Sequence, residues 1–222
     1  ASRQCNGSGR SGDEYSGSNP EGFMPRDEII GRFDRYVECY QLPIQYQTQV
    51  TSVELHSGDR RYLVKTENTI LFADHVIVAT GLFQIPKLPA FHQEISADIL
   101  QLHSGQYRNP QSLPPGAVLV VGSGQSGCQI TDELVEQSRK VYLSVGSAGR
   151  APRRYRGKDV FEWLLLSGFF DQRVENLASP KAKYRANPQV SGRNGGKALN
   201  LHQFARDGVV LVGHVLEGHG HH

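Results

Sequence analysis

Cysteine is scarce in this chain and poorly placed for redox work. Three occur in 222 residues, Cys5, Cys39 and Cys128; they are widely separated, odd in number and include no Cys-x-x-Cys pair. This spacing argues against dithiol chemistry, and its simplest reading is reduced thiols in a cytoplasmic protein. Charge of one sign is lacking too. Twenty-four Lys and Arg stand against 22 Asp and Glu, a net of +2, too weak to predict a nucleic-acid or membrane surface. No basic stripe with interleaved aromatics occurs. The longest apolar runs, such as Ala117 to Val121, fall far short of the roughly 20 residues of a membrane-spanning helix. No signal-peptide pattern opens the chain. The histidines of the closing "GHGHH" are weak evidence for a metal site, and none is expected.

What is present begins with enough chain to bury a core. Residues 1–20 are small, polar or charged without period, and read as a loop or frayed end. From Phe23 the text changes. "FMPRDEIIGRFDRYVECY" sets Ile29, Ile30, Phe33, Val37 and Tyr40 at helical spacing behind Pro25, which predicts an amphipathic helix. "QVTSVEL" and "RYLVKTE" alternate around a Ser57-Gly58-Asp59 turn, predicting a small antiparallel β unit. "HVIVATG", ending at Gly81, has the form of a buried strand stopped by glycine. Residues 83–116 carry Pro86, Pro89, Pro110, Pro114 and Pro115 and read as an irregular connector, with a domain boundary near Gly116.

The most informative stretch is "VLVVGSGQSGCQI", Val118 to Ile130. A short apolar strand runs into Gly122-Ser123-Gly124-Gln125-Ser126-Gly127, a G-x-G-x-x-G spacing. A helix is expected from about Ser126 to Arg139, and a second strand, "KVYLSVG", ends at Gly146. That order within about 30 residues is the first half of a dinucleotide-binding βαβ unit. Gly122 makes the tight turn, Gly124 lets phosphates approach the backbone, and Gly127 lets helix pack on strand. The helix N-terminus offers N–H groups and partial positive charge to a pyrophosphate. Downstream, "VFEWLLLSGFF" reads as a buried or partly buried helix, residues 178–200 as a long loop, and "GVVLVGHV" as a last strand.

An acidic residue at the end of the second strand would bind the ribose 2′-hydroxyl of NAD. No carboxylate lies between Val141 and Lys158. Ser144, Ser147, Arg150, Arg153, Arg154 and Arg156 lie there instead, and guanidinium forks neutralise a 2′-phosphate. NADP(H) is therefore expected, with Arg150 and Arg153 best placed and Ser147 a further candidate.

In order, these pieces resemble the two-dinucleotide-domain flavoproteins, and more narrowly the flavin-containing monooxygenase-like group that includes the CzcO-like bacterial proteins. The likeness spans roughly residues 16–215. "YSGSNPEGFMPRDEII" and "ADHVIVATG" are similar to segments of that group's FAD domain. "QLHSGQYRNP" is similar to the latter half of its identifying motif through His103, Ser104 and Tyr107, although Ala97 and Ile99 stand where the motif has Phe and Gly. "VVGSGQSG" and "GRAPRRYRGKD" are similar to its NADPH segment. The resemblance implies FAD and NADP as cofactors, with Val50, Ala79, Thr80 and Gly81 on the FAD side. It implies an α/β fold: a partial FAD-binding domain over 21–82 with the small antiparallel unit, the 83–116 connector, and a Rossmann-like NADP-binding domain over 117–222. The group's first glycine motif is not in the chain, which reads as a fragment that would bind NADPH without retaining FAD. The implied activity of the intact protein is NADPH-dependent oxygenation of a small organic substrate with O₂. An NADPH-flavin reductase or oxidase and a non-catalytic nucleotide-binding module are the alternatives. The flavin carries such chemistry, so no catalytic residue is assigned.

Overall fold

A computed structural model describes residues 22–57, 61–81, 83–146, 151–179, 181–182 and 189–220. It divides into two compact units, residues 24–85 and residues 86–220 with Gly22 and Phe23. The Pro-rich stretch from Pro86 onward thus belongs to the second unit.

In the first unit, helix α1 (Arg26–Tyr40) starts behind Pro25, carries Asp27 and Glu28 in its first turn and ends on a left-handed Gln41. Pro fits the helix entrance because the N–H it lacks would have no intrahelical partner there, and first-turn carboxylates complement the helix dipole. Strands β1 (Val50–Leu55), β2 (Tyr62–Thr66) and β3 (Ile70–Ala73) form an antiparallel sheet in that order. Thr66 organises the β2–β3 turn: its Oγ1 accepts from the Thr69 N–H at 3.0 Å. The strand expected over His75–Gly81 is not one. That run pairs with no other segment among the described residues, whereas the less conspicuous "ILFA" ahead of it pairs with β2 through Lys65↔Ile70 to Tyr62↔Ala73. Partner availability, not apolar content, selects the strand.

The second unit is built on a parallel sheet, β4 (Val118–Val121), β5 (Val141–Ser144) and β8 (Val210–Val212), with β5 in the middle. Helix α2 (Gln125–Glu136) crosses from β4 to β5. Its Cys128 and Leu134 pack with Val120, Val141, Leu143, Leu199, Phe204 and Val209 in one buried cluster, joined at its edge by Leu113. All the buried hydrophobic residues described belong to this cluster. Between β5 and β8 lie a hairpin, β6 (Arg154–Tyr155) with β7 (Lys158–Asp159), helix α3 (Val160–Leu166), and helix α4 (Leu201–Arg206). A capping box starts α3: the Asp159 carboxylate accepts from the Phe161 N–H and Glu162 reaches back to the Asp159 N–H. Of the burial expected for α3 only the partial kind is found: no residue is fully buried, Val160 and Leu164 are half-buried, and the other five are exposed. Helix α4 carries too short a period to stand out in sequence; Asn200 caps it and Phe204 anchors it.

The α/β class is as expected. The reading of reduced thiols is corrected at Cys39, which is disulfide-bonded; sequence spacing does not report spatial approach. Cys128 is a buried thiol outside any disulfide. No helix among the described residues is long and apolar enough to cross a membrane.

Candidate dinucleotide site

The glycine turn ends β4 and opens α2, and each glycine answers to a different constraint. Gly122 has φ +99°, a conformation that L side chains rarely adopt. A Cβ at Gly127 would fall on the Gly122 carbonyl oxygen, so the helix sits directly on the turn. Gly124 is under neither constraint. Its φ of −72° suits any residue, and a Cβ there would meet nothing within 4 Å. As the N-cap of α2 it supplies no side-chain acceptor, so the first-turn N–H groups are left uncapped and available to an anion.

Side chains of the turn brace it. Buried Ser123 accepts from the Gly146 N–H through Oγ at 2.9 Å, tying the turn to the end of β5. The Gly122 N–H donates to the Ser144 carbonyl at 3.2 Å, and Ser144 Oγ donates to the Gly213 carbonyl at 3.0 Å. The carboxyl ends of the three parallel strands are thereby laced together beside the turn. Gln125 turns away to Val190, accepting from its N–H at 2.9 Å and donating to its carbonyl. Ser126 is exposed in the first turn of α2.

Ser147 and Arg150 lie outside the described residues. Arg153 is described, and its placement differs from that of an open phosphate ligand: 6% exposed, it pairs with Asp159 through Nε at 2.7 Å, and its guanidinium lies 4.1 Å from the Phe23 ring centroid and 5.2 Å from that of Phe161. Asp159 thus joins the α3 cap to the hairpin through one carboxylate. The acidic residue closing a tight hairpin was the available sequence signal for this knot. In the first unit, Val50 opens β1 opposite Thr66, and Ala79, Thr80 and Gly81 form an exposed irregular stretch with Gly81 at φ +81°.

Two concavities flank α2 and the segment after β5. One, of about 470 Å³, is lined by Ser104, Tyr107, Ser126, Gln129, Glu133 and Arg193 among others. There Tyr107 donates to Glu133 at 2.9 Å; burial first, then that hydrogen bond and the carboxylate's charge, push its phenol well above the ordinary value. The other, of about 410 Å³ and mainly apolar, is lined by Ala151, Pro152 and residues 198–202. No cluster of three metal-ligating side chains occurs among the described residues.

A parallel strand-helix-strand whose glycine turn packs the helix on the strand defines a Rossmann-type α/β unit. The chain belongs to the pyridine nucleotide-disulphide oxidoreductase family, whose model matches residues 17–191. It is 39% identical over 159 residues to an uncharacterised CzcO-like oxidoreductase of Geobacillus kaustophilus, covering 71% of this chain and 45% of that protein. To the uncharacterised oxidoreductase CzcO of Bacillus subtilis it is 39% identical over 123 residues, 55% of this chain and 35% of the relative. Flavin-containing monooxygenase 1 of Sus scrofa is 27% identical over 170 residues, 71% of this chain and 32% of the relative. A solved flavin monooxygenase from Stenotrophomonas maltophilia shares the fold, with a TM-score of 0.53 at 20% identity over 92% of this chain and 60% of that one. The chain spans less than half the length of these curated relatives. The likeness to the flavin-containing monooxygenase and CzcO-like flavoproteins rests on these matches.

Proposed function

We propose that the second unit binds NADP(H) on the Gly122–Gly127 turn, as the nicotinamide half of a flavin-dependent monooxygenase that uses FAD and O₂ on a small organic substrate. Gly124 is the observation that carries this reading. Neither backbone strain nor protein packing calls for glycine there, whereas a pyrophosphate approaching the uncapped start of α2 does. The adenine ring suits the apolar pocket beside Ala151 and Pro152, which follows the β5 end as adenosine does in such units. The basic stretch after β5 takes the 2′-phosphate. In this reading Ser147 and Arg150 make the contact, while Arg153, held by Asp159, keeps the stretch in place. Val50, Ala79, Thr80 and Gly81 are assigned to FAD, Gly81 for its tolerance of a backbone that a side chain would strain.

Bound together, the two cofactors supply hydride transfer and reaction with O₂. The protein's part is to bind and orient them, and no residue of this chain is assigned a catalytic role. Gly124→Val is the test, read by titration of NADPH against the chain. Binding should be lost while the fold, followed through Trp163 fluorescence, persists, because a Cβ at this position meets nothing within 4 Å and the backbone there suits any residue. Unchanged affinity would remove the assignment. Oxygenated product formed in step with NADPH consumption separates a monooxygenase from a reductase or oxidase, which yields peroxide or a reduced acceptor.

A further inference from the structure

Helix α2 carries a polar stripe, Gln125, Gln129, Asp132 and Glu136, spaced four, three and four residues apart and so on one face. In sequence such a stripe is an ordinary solvated surface. Here its members grip one glycine-rich loop. Gln125 holds both main-chain polar groups of Val190, and Gln129 donates to the same carbonyl at 3.5 Å. Asp132, nearly inaccessible, pairs with Lys197 at 2.6 Å, and Glu136 with Arg193 at 2.7 Å. The loop is closed at its base by an antiparallel bridge between Val190 and Ala198. It is packed without slack: a Cβ on Gly196, whose φ is +92°, would lie 2.8 Å from the Phe23 ring, and one on Gly192 would lie 3.1 Å from Phe23 Cβ.

The fasteners differ in one respect. Asp132 and Glu136 attach the loop to the body of α2, which the core holds rigid through Cys128 and Leu134. Gln125 attaches it to the first residue after Gly124, where the helix is uncapped and where phosphate would sit. We propose that Gln125 is a positioning residue that couples the phosphate turn to the 190–198 loop, so that a dinucleotide bound on the turn further restrains the loop through Val190. The coupling rests on the dinucleotide reading. An anion that fixes the first-turn N–H groups also fixes the Gln125 backbone, and the two-point amide contact passes that restraint to Val190. By linkage, a loop so restrained strengthens the binding in return.

Hydrogen exchange with and without saturating NADPH tests this on the 222-residue chain. In the wild type, NADPH should slow exchange of the loop amides about fivefold or more. In Gln125→Met, which keeps the volume and removes both hydrogen bonds, loop slowing should vanish and NADPH affinity should fall about tenfold, with exchange in β5 unchanged. Arg193→Ala loosens the far end without touching Gln125, so NADPH should still slow the Val190 amide. If NADPH protects the turn amides of Gly122–Cys128 but leaves the wild-type loop unaffected, or if Gln125→Met retains loop protection, the coupling is wrong and the dinucleotide site stands. If the wild type binds no NADPH, both fall together.

Discussion

Each unit has a three-stranded sheet and one helix of three turns or more, α1 in the first and α2 in the second, and they differ in what those elements cover. In the second unit α2 lays Cys128 and Leu134 against the parallel sheet, both fully inaccessible. In the first, α1 has an apolar stripe of comparable regularity, yet it buries no residue, and Phe33 is 66% exposed. Apart from the disulfide at Cys39, the first unit is held by ladder hydrogen bonds, local turns and exposed ion pairs such as Lys65 with Glu54. Because hydrophobic stabilisation follows apolar area removed from water, and exposed ion pairs add little, resistance to unfolding should reside in the second unit.

A matched pair of phenylalanines gives the largest effect that tests this contrast. Phe204→Ala empties a fully buried site of α4 and should cost about 3–5 kcal/mol, while Phe33→Ala should stay within about 0.5 kcal/mol. Urea unfolding followed through Trp163, the only tryptophan and a residue of α3, measures the first directly. Circular dichroism, which sees both units, measures the second. A large loss from Phe33→Ala would mean that α1 shares a core with the rest, and the contrast would collapse.

The glycine turn makes the second break. Gly127→Ala directs a methyl onto the Gly122 carbonyl, and the helix must lift from the sheet, at about 1–3 kcal/mol. The same substitution at Gly124 meets open space and should leave stability within about 0.5 kcal/mol. Equal costs at the two positions, read from the same unfolding curves, would contradict the close seat of α2.

The strand-turn-helix-strand was legible in sequence because it is local: Val118 to Ser144 carries its own spacing, and the tight turn at Gly122 and the close packing at Gly127 follow from it. What escaped depends on distant partners. "HVIVATG" outscores "ILFA" as a strand by composition, but only the latter meets β2. Gln125, Asp132 and Glu136 look like a helix surface until Val190, Lys197 and Arg193 arrive 65, 65 and 57 residues later. The charge of Arg153 is visible in sequence, whereas its pairing with the half-buried Asp159 depends on the hairpin that brings the two together. A polar stripe on the helix after the glycine turn, followed far downstream by a Gly-Arg-x-Gly-Gly-Lys loop, was the signal available for these contacts.

The smallest expected effect concerns Tyr107, which fastens the early part of the second unit to α2. Tyr107→Phe removes the hydrogen bond to Glu133 and should cost about 1 kcal/mol near neutral pH. Its pH dependence gives the sharper result. Burial and the neighbouring carboxylate raise the phenol's pKa in the folded state, so the folded chain holds this proton more tightly than the unfolded one, whose tyrosines titrate near about 10. The stabilisation is therefore complete below that value and is lost as pH rises above it. Unfolding curves at neutral pH and at a pH about one unit above the unfolded value should show the wild type losing its advantage over Tyr107→Phe, because the other tyrosines titrate alike in both proteins. A gap that is constant across that range would place Tyr107 in water, and the 470 Å³ concavity it lines would lose its wall.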